Sequence, residues 1–318
     1  MSKMNLDKKD RDLLAELDSN SRQTYLQIGK KLRLSKDTVK YRIERLEKTG
    51  IIEGYYAEIN TKQLGYTIYR FYLKLQDLDA NKKKALIDWL AKRRETFFIA
   101  EVIGPWDLSV LIWAKDYGEL ETFWNAFKQR YRHYLQTYLL SIFIKLHIFP
   151  RKYLGIKLTT ATVEETQEKT KIDALDRKIL RIIADHARLS FVETAQKINT
   201  NAKIAVYRLR RLEKENIILQ YRTKINYALL GKQYFKVDIN LNDTSRIKAL
   251  HQFAFLHPAI TYINQTLGAT DFEFDAELDS FEKLTELINQ IQEKFPGLIR
   301  DYSYFQILKV HKIKYWPE

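Results

Sequence analysis

Residues 35–48 read SKDTVKYRIERLEK, a run whose apolar members Val39, Ile43 and Leu46 fall on one side of a helix. The other side carries Lys36, Asp37, Thr38, Lys40, Tyr41, Arg42 and Arg45. Lysine and arginine neutralise phosphates or bond guanine edges, and the threonine and tyrosine hydroxyls add hydrogen bonds. This face therefore has the chemistry to enter the major groove of double-stranded DNA. Ser35 stands where its hydroxyl can cap the first turn. A second run, residues 201–214, has Asn201 at the capping position and keeps Lys203, Tyr207, Arg208, Arg210, Arg211 and Lys214. It carries Ala202, Ile204 and Val206 where the first run has Lys36, Thr38 and Lys40. Phosphate attraction is retained there while base reading is reduced. The first run is expected to supply more sequence discrimination and the second more backbone affinity, with docking of Ile204 and Val206 on protein as the alternative.

The charge balance agrees with a polyanionic partner. Lys+Arg 54 against Asp+Glu 40 give +14, and residues 1–155 hold 29 basic and 19 acidic side chains, so most of the excess lies in the first half. Other chemistries are poorly served. With no cysteine, disulfides and thiolate metal sites are excluded, and an intracellular setting is the natural expectation. His133, His147, His186, His251, His257 and His311 are scattered, with no pair at metal-ligand spacing. Neither a glycine-rich phosphate loop nor a nucleophile motif occurs. No catalytic residue, metal or cofactor is expected. The start, MSKMNLDKKDRDLL, lacks the apolar core of a signal peptide, and no apolar run is long enough to span a bilayer. The expectation is a cytoplasmic protein with no membrane partner.

The elements that must position these residues occur twice. Residues 6–65 align without a gap on residues 172–231, with 19 of 60 positions identical. Each copy opens with an amphipathic helix, at 8–18 and 174–184, followed by a shorter one at about 24–32 and 190–198. The basic helix and an apolar stretch, 51–59 or 217–225, complete it as a strand pair or wing. Three helices and a wing make a winged helix-turn-helix at residues 1–60 and again at 172–226. After each comes a module in the order βαββαβ, at 61–155 and 227–318. Its sheet covers one face with helices and leaves the other for a partner sheet, which the second copy can provide. Residues 156–171, rich in Thr, Glu and Lys, read as a linker. It is either a coil reaching roughly 20–24 Å or a partly helical segment through 163–171.

On the stretches LDKKDRDLLAEL and LSKDTVKYRIERLEKTGIIEGY and the turn Gly104-Pro105-Trp106-Asp107, the chain resembles the Lrp/AsnC family of transcription regulators. The resemblance covers nearly the whole chain, twice. It implies an α+β fold in which two winged helix-turn-helix heads and two ferredoxin-like βαββαβ effector domains form an internal pseudo-dimer. Self-association is implied through the effector domains, within the chain and between chains. It also implies a sequence-specific regulator modulated by a small effector such as an amino acid. The effector would bind near the turn between the second and third strands of each module. Gly104 and Asp107, with Gly268 and Asp271 as their copies, are the positions carried over, although a glycine and an aspartate also serve a turn structurally. Siroheme decarboxylases are similar in fold, but their activity is associated with histidines and arginines lining a tetrapyrrole pocket and a Trp-Pro-Tyr-Asn-type stretch. This chain has Gly-Pro-Trp-Asp-Leu with no histidine beside it. An architectural DNA-binding protein with little sequence choice is the other alternative.

Overall fold

The computed structural model describes residues 6–155, 160–164, 171–268 and 270–317. The first head consists of α1 (Lys8–Ser19), α2 (Tyr25–Leu32) and α3 (Lys36–Lys48), and the second of α6 (Ala174–Asp185), α7 (Phe191–Lys197) and α8 (Ala202–Lys214). Local sequence explains their ends. Asp7 and Asp10 form a reciprocal capping box at α1, as Asp173 and Asp176 do at α6, while Ser35 and Asn201 cap α3 and α8. Leu13, Leu14 and Leu17 of α1 meet Ile28, Val39, Ile43 and Leu46 in a shared core.

The strand after each third helix is not the hairpin wing of an isolated head. β1 (Ile52–Ile59) pairs antiparallel with β7 (Ile218–Ile225) of the other copy, so each head's single strand finds its partner in its twin. The exchange extends to the cores, since Ile225 is buried in the first head and Ala57 and Ile59 in the second. The heads therefore interpenetrate.

The first βαββαβ module runs β2 (Thr67–Leu75), α4 (Ala80–Lys92), β3 (Thr96–Ile103), β4 (Leu108–Ala114), α5 (Tyr117–Tyr131) and β5 (Leu135–Ile148). After the short strand β6 (Ala161–Glu164) and the second head come β8 (Gln233–Leu241), α9 (Ile247–Leu256), β9 (Ile260–Leu267), β10 (Phe272–Leu278), α10 (Phe281–Lys294) and β11 (Ile299–Ile313). Helices α4 and α5 cover one sheet and α9 and α10 the other, each through its own apolar core. The sheets do more than face each other. The strand order β2-β4-β3-β11-β8-β10-β9-β5, with β5 returning to β2, closes eight strands into a ring. Two long strands make the corners: Ile142 of β5 pairs with Tyr69 and Leu267, and Gln306 of β11 pairs with Phe235 and Ile103. Closure removes the sheet edges that would otherwise seek partners.

Part of the 156–171 segment departs from the coil or helix expected. Ala161–Glu164 forms β6 on the edge of β5, with Ala161 and Val163 buried, because these apolar side chains alternate at strand spacing. Residues 156–159 and 165–170 lie outside the described residues. Among the described residues, no helix is long and apolar enough to cross a membrane.

Candidate nucleic-acid interface

Helix α3 presents Lys36, Asp37, Lys40 and Tyr41 to solvent, with Tyr41 65% exposed. Lys40 reaches Glu44 at 3.8 Å, one turn along the same open face. Ser35 is occupied as a cap: its Oγ accepts from the Thr38 amide at 3.0 Å and lies 2.8 Å from the Thr38 hydroxyl. The arginines have a different role from the one their charge suggests. Arg42 Nη1 lies 2.7 Å from both Asp7 and Asp10, and Arg45 Nη2 lies 2.5 Å from Asp10. They clamp α3 to the start of α1, and Asp10 is almost completely buried beneath them. The hydrogen bond from Arg42 holds the Asp7 carboxyl below its ordinary range.

The second head repeats this clamp. Arg208 reaches Asp173 at 2.6 Å and Asp176 at 3.0 Å, and Arg211 pairs with Asp176. The Arg208 hydrogen bond brings Asp173 down to about 2. Asn201 accepts from the Ile204 amide at 2.9 Å. The open face of α8 carries Lys203, Ile204, Tyr207, Arg210 and Lys214, with Tyr207 67% exposed. In both heads the reading face is thus smaller than the basic run, because four of its arginines are tied to aspartates. The signal for this was present in the repeat. Asp7, Asp10, Arg42 and Arg45 all recur unchanged as Asp173, Asp176, Arg208 and Arg211, whereas the solvent-facing Lys36, Asp37 and Lys40 do not.

A pair of arginines outside the basic runs joins the heads. Arg22 donates to the Ala187 carbonyl at 2.8 Å and Arg188 to the Ser21 carbonyl at 2.6 Å, a reciprocal exchange across the pseudo-twofold. Arg22 also lies over the Phe191 and Tyr221 rings, and Arg188 over Tyr25 and Tyr55. Backbone bonds obey the same symmetry: Asn60 N to Ile217 O and Asn226 N to Ile51 O are both 2.9 Å. α3 and α8 are consequently held at a fixed separation.

The turn residues sit in two well-packed corners. Gly104 has φ 145°, and a Cβ there would lie 2.9 Å from the Tyr304 carbonyl oxygen and 3.0 Å from Phe305 Cβ. Gly268 has φ 93° and approaches the Leu140 carbonyl as closely. Asp107 accepts from the Leu75 amide and Asp271 from the Leu241 amide, each at 2.7 Å. All four residues thus do structural work in the strand connections. Ala269, in the second turn, lies outside the described residues.

A cavity of about 1130 Å³ lies between the two sheets and under the β1–β7 ribbon. Its walls differ chemically. At matching positions β4 turns Ser109, Leu111 and Trp113 inward, while β10 turns Glu273, Asp275 and Glu277 inward. Arg70 meets Glu273 at 2.8 Å, and Lys236 lies 2.9 Å from both Asp238 and Glu273 and 3.6 Å from Asp275. Burial works against charge on Glu273, but Arg70 and Lys236 hold it ionised and its pKa well below normal. Asp275 is pushed up by burial. In a second cluster Arg222 grips Asp18 at 2.9 Å, and Arg151 bridges Asp18 and Glu277 at 3.1 and 2.9 Å.

The structure brings His147 and His251 to 6.2 Å between ring centroids, a pairing invisible in the sequence. Burial lowers both pKa values, that of His251 to about 4. His311 lines the cavity, but its Nε2 lies 2.8 Å from Glu101. Among the described residues, no group of three His, Cys, Asp or Glu could hold a metal ion.

Comparisons with known proteins point to both halves of the chain. A family model for winged helix-turn-helix DNA-binding matches residues 6–53 and 172–218. The HTH-type transcriptional regulator LrpA of Pyrococcus horikoshii is 33% identical over 118 residues, 36% of this chain and 80% of that protein. The HTH-type transcriptional regulator Ptr1 of Methanocaldococcus jannaschii is 31% identical over 121 residues, 37% of this chain and 78% of that protein. Among solved structures, the siroheme decarboxylase NirDL superposes with TM-score 0.66 at 12% identity, covering 96% of this chain and 93% of that one. That likeness concerns the fold of the whole two-copy chain.

Proposed function

Because this chain belongs to the Lrp/AsnC family of helix-turn-helix transcriptional regulators, we propose that it is a sequence-specific double-stranded-DNA-binding regulator whose two heads are unequal. The observation that carries this reading is the open face of α3. Lys36, Lys40 and Tyr41 stand free of the aspartate clamp on a helix locked to its twin by the β1–β7 ribbon. Lys203, Arg210 and Lys214 of α8 supply phosphate attraction, and Ile204 and Val206 in place of Thr38 and Lys40 remove hydrogen-bonding groups.

Selection of bound duplexes from a random pool at near-physiological salt tests the proposal. One dominant half-site, with a weakly specified second at fixed spacing, is the expected product. Tight, salt-sensitive binding with no enriched motif would replace the regulator with the architectural reading. An amino-acid effector acting at the Gly104 and Gly268 turns belongs to the same proposal. It predicts that an amino acid shifts the DNA titration and that Asp107→Asn and Asp271→Asn alter the shift.

We infer a non-enzymatic role. What supports it is the likeness to regulators and the cavity wall itself: NirDL shares the fold at 12% identity, and His311, the histidine on this cavity, is turned to Glu101. A tetrapyrrole absorbance band retained by the protein after incubation and gel filtration would overturn it.

A further inference from the structure

The cavity between the sheets holds a carboxylate, Glu58, that belongs to neither of its ion-pair clusters. Two cations face three acids in the Arg70–Lys236 group, and two face two in the Arg151–Arg222 group. Glu58 stands outside both, on the cavity side of β1, and makes no hydrogen bond or ion pair among the described residues. Three tyrosines, Tyr56, Tyr262 and Tyr315, line the same part of the cavity, with Tyr56 and Tyr315 stacked at 3.9 Å. An acid among aromatic faces attracts an ammonium group through charge and ring quadrupole together. Beside them runs an apolar wall in which Phe97 stacks on Trp113 at 4.0 Å. Trp113 Nε1 and the Tyr72 hydroxyl line the cavity, are buried and have no hydrogen-bond partner among the described residues. Both groups can offer a hydrogen bond to a polar guest in the cavity.

We infer that this cavity binds an amphipathic organic ammonium ion, with Glu58 as counter-ion within the Tyr56–Tyr262–Tyr315 group and the apolar body against Phe97 and Trp113. The volume lies just above the range of ordinary small-molecule sites, roughly 300–1,000 Å³, so the guest fills part of it. Burial raises the pKa of Glu58 to about 7, partly offset by Arg222, which Asp18 holds. Affinity for an amine therefore rises as pH increases through 7 and Glu58 ionises. The ligand also touches the ribbon that joins the heads: Tyr56 and Glu58 face the cavity, while Tyr55 and Ala57, on the opposite side of β1, pack in the second head. That last consequence rests on the DNA-binding reading; the binding itself does not.

Calorimetry on the full chain without DNA tests the site, so its failure leaves the DNA-binding reading untouched. Tyramine is the probe, and 3-(4-hydroxyphenyl)propionate, with a carboxylate in place of the amine, is its counterpart. The expected result is saturable 1:1 binding of tyramine with Kd below about 1 mM at pH 8 and no detectable binding of the acid. Glu58→Gln should weaken tyramine about tenfold or more and abolish the rise with pH, while Tyr56→Leu, retaining Glu58, should weaken it several-fold. Glu58→Gln removes a half-buried acid that has no ion-pair partner among the described residues and should fold at least as well as the parent. Equal binding of the acid, an unchanged Glu58→Gln variant, or no binding of tyramine, phenethylamine or tetraethylammonium would overturn the inference.

Discussion

Arg42 and Arg208 occupy positions where a basic helix would be expected to touch DNA, yet both spend their guanidinium groups on aspartates at the start of the first helix of their head. Removing one leaves a buried carboxylate short of a partner. Arg42→Ala should therefore cost about 1–3 kcal/mol of stability, lower the thermal midpoint and weaken DNA binding only as the head loosens. Lys40→Ala should leave stability within about 0.5 kcal/mol and reduce the slope of log affinity against log salt by about 1. Calorimetry beside a salt titration separates the two; a stable Arg42→Ala protein with a lost salt contact would return that arginine to the DNA. The same clamp has a pH signature. Asp173, at about 2 in the folded chain, contributes stability above its ordinary value of 3.8 and loses it as pH falls toward 2. Asp7 is displaced in the same direction. Melting between pH 4 and pH 2 should show a midpoint falling with acid, with a shallower fall in Asp173→Asn. The step should be modest because Asp173 is about half exposed.

At the scale of elements, the β1–β7 ribbon decides how the heads behave. A hairpin wing would open locally, without disturbing anything else. This ribbon is built from one strand of each copy, with Ile225 in the first core and Ala57 and Ile59 in the second, so opening it breaks both heads. Amides of residues 55–58 and 221–224 that bond across the ribbon should accordingly exchange with deuterium as slowly as the core strands of the ring. Fast exchange confined to these residues would show that the heads can swing apart. Arg22 and Arg188, just before the second helix of each head, reinforce the same joint from outside, and they are identical in a stretch of the repeat that differs at most other positions.

At the scale of the whole molecule, the two halves are complementary rather than equivalent. The inward acids Glu273, Asp275 and Glu277 of β10 have Lys236 in their own half and find Arg70 and Arg151 in the first; in a pair of second halves they would confront three acids of the same kind with those two arginines lost. Buried like charges without partners are costly. Halves expressed as separate chains, severed between residues 165 and 170, should assemble 1:1 and should not form stable pairs of second halves, as native mass spectrometry can read. Abundant homodimers of the second half would show that the charge asymmetry does not direct pairing.

Much of this was legible in the chain itself. Helical and strand periodicity located α3 at Lys36–Lys48, β2 at Thr67–Leu75 and α5 at Tyr117–Tyr131, because these patterns depend only on neighbours a few residues away. The duplication announced a pseudo-dimer, and the differences at positions 36, 38 and 40 are the ground for proposing unequal heads. Long-range pairing lay beyond that reach. Local pattern cannot say that β1 finds β7 rather than a hairpin partner, that eight strands close through Ile142 and Gln306, or that β6 adds an edge within the 156–171 segment. Nor can it reveal that Arg42 faces Asp10 across 32 residues or that Glu58 is left unpaired beside Trp113 in one cavity. The residue types and their periodicity thus determined the elements, the repeat and the family. Tertiary structure alone decided which charges are spent on the fold and which remain for a partner, because ion pairing and burial depend on side chains that only folding brings together.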